Sequence, residues 1–140
     1  MLDDQRKRIV LIDDHALVRQ GLERLLNLGD EFVVCEEAGD ADQGMMMVRE
    51  MQPDAVVVDV ELPGADGIEI TKALLKDFPH LTVIVLSAHQ EPEMAVRAME
   101  AGAMAYVVKS EGIDALLAAL RNAFNRKRSF AVLEKFGRIV

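Results

Sequence analysis

Cysteine, tryptophan and tyrosine are nearly missing from this chain: its 140 residues hold one cysteine, no tryptophan and one tyrosine. Cys35 has no partner for an internal disulfide, which excludes a disulfide-stapled secreted scaffold and makes a cytoplasmic address the expectation. No apolar run exceeds about six residues, far short of the roughly 20 that a membrane-spanning helix needs, so no membrane role is expected. The N-terminal MLDDQRKR opens with acids and has no apolar stretch behind its basic cluster, unlike a secretory signal. Neither GxGxxG nor the GxxxxGK loop occurs, which removes glycine-rich phosphate cradles as a basis for function. Cations are also scarce where a nucleic acid would need them. Residues 1–120 hold 23 Asp and Glu against 10 Lys and Arg, whereas residues 121–140 hold one against six. An acidic body is a poor ligand for a phosphate backbone, and the short NRKR cluster (125–128) reads as a solvated face.

What is present is a regular alternation. Apolar residues make up 51% of the chain and charged residues 29%, a balance that suits one soluble globular domain with a real core. Short apolar runs recur as IVLI (9–12), FVVC (32–35), AVVV (55–58), TVIVL (82–86) and AYVV (105–108). Their β-branched content and near-continuous apolarity predict strands buried on both faces. Helical spacing fills the intervals: Val18, Leu22, Leu25 and Leu26; Ile68, Thr71, Leu74, Leu75 and Phe78; and Ile113, Leu116, Leu117, Leu120 and Phe124 each share a face. Asp40 with Gln43 has the form of a capping box, Gly102 sits where the fourth helix should stop, and Pro53 and Pro79 follow the second and third. Five strands alternating with five helices predict an α/β, doubly wound parallel sheet covered on both faces. Cys35 reads as core, and Met45, Met46 and Met47 as helix packing and surface rather than a metal site, since no His or Cys accompanies them. The segment 126–140 is open: its Val132, Leu133, Phe136, Ile139 and Val140 suit either a short helix from near Ser129 or a linker.

In an open parallel sheet the C-terminal ends of the strands share one edge, and ligands bind there. The first strand ends at Asp13 and Asp14, the third at Asp59, the fourth at Ser87 and the fifth at Lys109. The second contributes Glu36 and Glu37, to which no role is assigned. Singly, each has an ordinary explanation: Asp14 as a helix cap, Ser87 as a loop hydroxyl, Lys109 as a snorkelling cation. His15 reads as a helix-start residue rather than a base. Together, three carboxylates on one edge repel one another unless a cation relieves them. A hard divalent ion such as Mg²⁺ suits carboxylates, a backbone carbonyl and phosphate oxygens. A lysine and a hydroxyl opposite would suit a phosphoryl group.

These residues, quoted as IDDH (12–15), VVVDVELPGADG (56–67), LSA (86–88) and YVVKS (106–110), resemble the receiver domains of two-component response regulators. The resemblance spans about residues 8–125, and DDHALVRQGLERLL (13–26) further resembles the branch whose receiver precedes a helix-turn-helix output domain. It implies a flavodoxin-like sheet of strand order 2-1-3-4-5. It implies Asp59 as phosphoacceptor from a sensor histidine kinase or phosphotransfer protein. Asp13, Asp14, Asp59 and the backbone carbonyl of Glu61 would be the Mg²⁺ ligands, Lys109 the phosphoryl-pairing cation, and Ser87 and Tyr106 the switch. Pro63, Gly64 and Gly67 would shape the turn beside the metal, while Glu61 and His89 would tune phosphoryl lifetime. The resemblance further implies a phosphorylation-dependent homodimer, DNA contact only through an output domain, transcription regulation, and no enzymatic turnover beyond the protein's own phosphorylation and dephosphorylation. Relatives often place a cis proline after the lysine. Here Ser110 follows, and a trans bond is expected because a non-proline cis bond costs about 2.5–4 kcal/mol. The competing readings are a metal-dependent phosphatase with an aspartyl nucleophile, a flavodoxin-like cofactor carrier, whose phosphate Asp13 and Asp14 would repel, and a receiver-like interaction module that is never phosphorylated.

Overall fold

The computed structural model describes residues 5–135. Its strands and helices run β1 (Lys7–Ile12), α1 (Ala16–Asn27), β2 (Phe32–Ala38), α2 (Ala41–Met51), β3 (Ala55–Asp59), β4 (Glu61–Leu62), β5 (Ala65–Asp66), α3 (Gly67–Asp77), β6 (Thr82–Ser87), α4 (Pro92–Glu100), β7 (Ala105–Val108), α5 (Ile113–Phe124) and α6 (Ala131–Lys135). The main sheet is ordered β2-β1-β3-β6-β7, which is the expected 2-1-3-4-5 once β6 and β7 are counted as its fourth and fifth strands. All four neighbouring pairs are parallel. The order reverses between β1 and β3, so the crevice of the topological switch opens beyond the ends of those two strands.

The strand sequences explain why helices cover both faces. Side chains alternate along a strand: Val10 and Ile12 of β1 point into one buried layer, Ile9 and Leu11 into the other. The first layer also takes Val48 of α2, Ile68 and Leu74 of α3, and Ala95 and Ala98 of α4. The second takes Leu26 of α1 and Leu116 and Leu120 of α5. Each fully buried Val, Leu or Ile contributes about 1.5–3 kcal/mol relative to exposure. No helix among the described residues is long and apolar enough to cross a membrane.

Local signals act largely as read, with instructive differences. Asp40 caps α2 by accepting the Gln43 N–H at 2.8 Å, while the Gln43 side chain accepts from Gly39, one residue beyond the expected box partner. Helix α4 ends at Glu100 and Gly102 follows at φ 101°, a left-handed position that suits glycine. Strand β2 runs on to Ala38, so Glu36 and Glu37 lie within it. Cys35 is half-buried rather than core, its thiol donating to the Ile9 carbonyl. The α1 face is also less buried than its spacing suggests: Leu26 is enclosed, but Val18 and Leu25 are exposed. Those two border shallow grooves beside α5, because α1 meets its neighbour only along part of its stripe. A two-stranded antiparallel hairpin, β4–β5, closes over Pro63–Gly64. The segment after α5 forms a bridge beside β7 and then the short helix α6; Phe136, Ile139 and Val140 lie outside the described residues.

Asp66 couples two helices. Its Oδ1 accepts the Ile68 N–H at the start of α3 and its Oδ2 meets Arg97 of α4 at 2.8 Å. Burial would raise its pKa, but the Arg97 hydrogen bond and charge outweigh that and hold it below the ordinary carboxylate value. A depressed folded pKa stabilises the fold above the unfolded value and loses that contribution as pH falls through the folded one. Asp66→Ala is therefore expected to cost about 1 kcal/mol at neutral pH. Urea titrations should show the gap to wild type narrowing once the pH drops below roughly 3.9, the ordinary carboxylate pKa. A gap that stays constant under acid would rule out the ionic part of this contact.

Candidate functional site

The end of β3 is an unusual place for a carboxylate. β3 is the central strand and all five of its residues are buried, Asp59 among them at 1% exposure. The sheet brings the expected partners to it. Asp13, just after β1, is 2% exposed, and Lys109, just after β7, places Nζ 2.7 Å from Asp59 Oδ2 and 3.2 Å from Asp13 Oδ2. The Glu61 N–H donates to Asp59 Oδ1 at 3.0 Å, so both acceptor oxygens are engaged. Burial raises the Asp59 pKa, and Asp13 adds to the effect; Lys109 and the Glu61 N–H oppose it without cancelling it. Burial alone would lower Lys109, but Asp59 and Asp13 outweigh it and hold the ammonium above its ordinary pKa.

Ligand atoms of Asp13, Asp14, His15 and Asp59 all lie within 4.8 Å of one another. Asp13 Oδ2 is buried and, despite its ionic contact with Lys109, accepts no hydrogen bond. Three carboxylates this close, one of them buried against Lys109, form a hard-oxygen donor set that fits a small divalent cation. His15 does start α1, as its N-cap, but without a side-chain cap bond, and Asp14 does not cap the helix. Asp13 Oδ1 instead accepts the His15 N–H, and the His15 ring turns inward, with Nδ1 3.1 Å from Asp13 Oδ1 and 3.2 Å from Asp14 Oδ1.

Sequence reasoning missed Arg19 altogether, and named His89 only for phosphoryl lifetime, without the bonds it makes. Arg19 of α1 donates to the Asp13 carbonyl and pairs with Glu37 of β2 at 3.2 Å, tying the acidic turn to the neighbouring strand. No local pattern marks it, because the contact spans three separate elements. His89 links Ser87 and Tyr106: its N–H donates to Ser87 Oγ at 3.0 Å, its carbonyl accepts the Tyr106 hydroxyl at 2.7 Å, and its ring meets Glu61 at 3.0 Å. Tyr106 is 2% exposed, so its ring already lies inside while Ser87 is bonded to the loop. Burial raises the Tyr106 pKa. No cis peptide occurs among the described residues, so Lys109–Ser110 is trans.

A five-stranded doubly wound sheet with an acidic triad and a lysine at its carboxyl edge defines a class of signalling module. The chain belongs to the response regulator receiver domain family, which it matches over residues 9–121. It is 34% identical over 121 residues to the response regulator GacA of Pseudomonas aeruginosa, covering 86% of this chain and 56% of that protein. It is 32% identical over 120 residues to the transcriptional regulatory protein DegU of Brevibacillus brevis, covering 86% and 51%. The chain thus spans about half the length of the curated relatives it matches. Among solved structures, a LuxR-family two-component response regulator from an Aurantimonas species superposes with a TM-score of 0.85 at 36% identity, covering 89% of each chain.

Gly67 holds the end of β3 and the start of α3 close together. Its N–H donates to the Val60 carbonyl at 2.8 Å, and a Cβ there would lie 2.1 Å from the Asp59 carbonyl oxygen. That neighbour is backbone and cannot swing aside. Gly21, within α1, has nothing within 4 Å of a would-be Cβ. Gly67→Ala is therefore expected to destabilise by about 1–3 kcal/mol, as overpacking does, whereas Gly21→Ala should stabilise by about 0.5–1 kcal/mol through helix propensity. Chemical denaturation of both variants checks the pair. Equal effects would contradict the close approach at Asp59.

Proposed function

We propose that this chain is a phosphorylation-activated receiver in which Asp59 accepts a phosphoryl group from a sensor histidine kinase or phosphotransfer protein. The receiver unit is residues 8–125, with 126–140 as a tail. The observation that carries the reading is the buried Asp59 carboxylate at the central strand's end, 2.7 Å from the Lys109 ammonium. Phosphoryl transfer needs an in-line nucleophile and charge neutralisation rather than covalent assistance from the protein. The Asp59 carboxylate forms the new bond to phosphorus, the bond from phosphorus to the donor's histidine nitrogen breaks, and its electron pair leaves with the imidazole. Lys109 offsets charge on the transferring oxygens. Asp13, Asp14, Asp59 and the Glu61 carbonyl would hold Mg²⁺, which when bound supplies further neutralisation of those oxygens. Water later attacks the acyl phosphate, releasing inorganic phosphate and restoring the carboxylate. The resulting switch acts through Ser87 and Tyr106 on an output function, which we assign to transcription regulation through a DNA-binding domain outside this chain. The named relatives, which include a transcriptional regulatory protein, support that assignment.

Acetyl phosphate with Mg²⁺ is expected to add one phosphoryl group, read as intact mass, at Asp59. Labelling should vanish in Asp59→Asn and without the metal, and Lys109→Ala should slow it by about 10²-fold. Undiminished labelling of Asp59→Asn would refute the assignment.

Phosphorylation is also expected to shift self-association through the Ser87 hydroxyl. Couplings of this kind are typically 1–3 kcal/mol, roughly 5–150-fold in an equilibrium constant. Light scattering should show the monomer–dimer equilibrium of wild type respond to acetyl phosphate, and Ser87→Ala fail to respond although Asp59 is still labelled. A mutant that responds like wild type would eliminate the hydroxyl as the switch.

A further inference from the structure

We propose that the segment Ser129–Leu133 is an intramolecular latch that docks on the free edge of β7 and holds Tyr106 in its inward position. Three observations converge on it. The first is main-chain pairing: Ser129 donates to the Met104 carbonyl at 2.9 Å and accepts the Tyr106 N–H at 3.0 Å, forming a parallel bridge opposite Ala105. An edge strand presents unpaired N–H and C=O groups that favour such an addition, and here the segment satisfies the backbone of the switch tyrosine itself. The second is anchoring: Phe130 and Leu133 are 0% exposed and Val132 is buried with them, in the apolar layer that contains Tyr106, Ala95 and Ala98. Phe130 thus enters the same layer as the Tyr106 ring. The third is fastening at both sides. Arg128 donates to the Met99 carbonyl in the last turn of α4, where a cation meets the helix dipole, and Asn122 of α5 donates to Ser129 Oγ at 3.1 Å.

The latch reaches the candidate phosphorylation site through bonded groups. Tyr106 is tied to the segment by its backbone and to the His89 carbonyl by its hydroxyl, and the His89 N–H holds Ser87 Oγ. Undocking removes the acceptor of the Tyr106 N–H and opens the space that Phe130 fills, so an outward ring and a released segment favour each other. Linkage makes the effect reciprocal: whatever moves Ser87 and Tyr106 changes docking of the segment by the same factor. A cleft of about 290 Å³ between α5 and the segment is lined by Tyr106, Ala115, Ala119 and Phe130. The link from latch to phosphorylation rests on the function proposed above; the link from latch to Tyr106 does not.

The chain has one tyrosine and no tryptophan, so its intrinsic fluorescence reports Tyr106 alone. Acrylamide quenching of the whole chain should rise about fivefold in Phe130→Ala and in Ser129→Pro, matching the lower range of allosteric couplings. Far-UV circular dichroism should show the fold retained. Ser129→Pro removes one edge N–H and leaves every apolar anchor in place, so it decides the matter if Phe130→Ala does not fold. In a second arm, wild type treated with acetyl phosphate and Mg²⁺ should change hydrogen exchange at the Ser129 amide by about fivefold, with no change in Asp59→Asn. Unchanged quenching in a folded variant overturns the latch. Unchanged Ser129 exchange in protein that has gained a phosphoryl group overturns its link to the site. A failure to gain that group counts against the proposed function and leaves the latch to be judged by quenching.

Discussion

The structure turns on one electrostatic arrangement, a carboxylate buried at the end of the central strand and kept company by a single ammonium. Removing a charge from water is expensive, and a partner in the dry interior offsets that cost only with good geometry. Asp59 has that geometry in part: Lys109 on one oxygen, the Glu61 N–H on the other, and Asp13 close enough to oppose both. Its proton affinity stays raised because the burial outweighs the two donors. A group in this condition gains more than an exposed one from any further cation at the site.

Everything around the pair is arranged by the sheet. Lys109 and Asp13 reach Asp59 because β7 and β1 end at the same edge as β3, on opposite sides of it. Gly67 lets α3 begin within contact distance of the Asp59 backbone, and Asp66 before it ties that helix start to α4 through Arg97. The acidic turn is fastened from behind by Arg19 to the Asp13 carbonyl. Rigidity at the acidic end comes from backbone and charged contacts, while the loop bearing His89 is held by the Ser87 and Tyr106 hydroxyls.

That division gives the tail its interest. Its Phe130, Val132 and Leu133 are buried in the same apolar layer as Tyr106. Backbone pairing places this segment one hydrogen bond from Tyr106, the residue proposed above as part of the switch. Transmission of this kind needs no long pathway, only two arrangements of one ring and one strand edge.

The amino-acid pattern by itself determined the alternation of elements, the strand order through the recognised motifs, and the edge at which Asp13, Asp14, Asp59, Ser87 and Lys109 gather. It could do so because side-chain periodicity and strand ends are local properties, and a parallel sheet places all such ends on one side. The tertiary structure alone decided what depends on contacts between distant segments. It turned His15, a helix-start residue by its position, toward the carboxylates, gave Arg19 its place behind Asp13, and left Val18 and Leu25 exposed on a helix face whose spacing reads as core. It put the Tyr106 ring inside and formed α6 at Ala131–Lys135, because burial of Phe130 and Leu133 requires an open layer beside β7 that no stretch of sequence displays. Periodicity states which residues seek an apolar neighbour; only the packed chain supplies the neighbour.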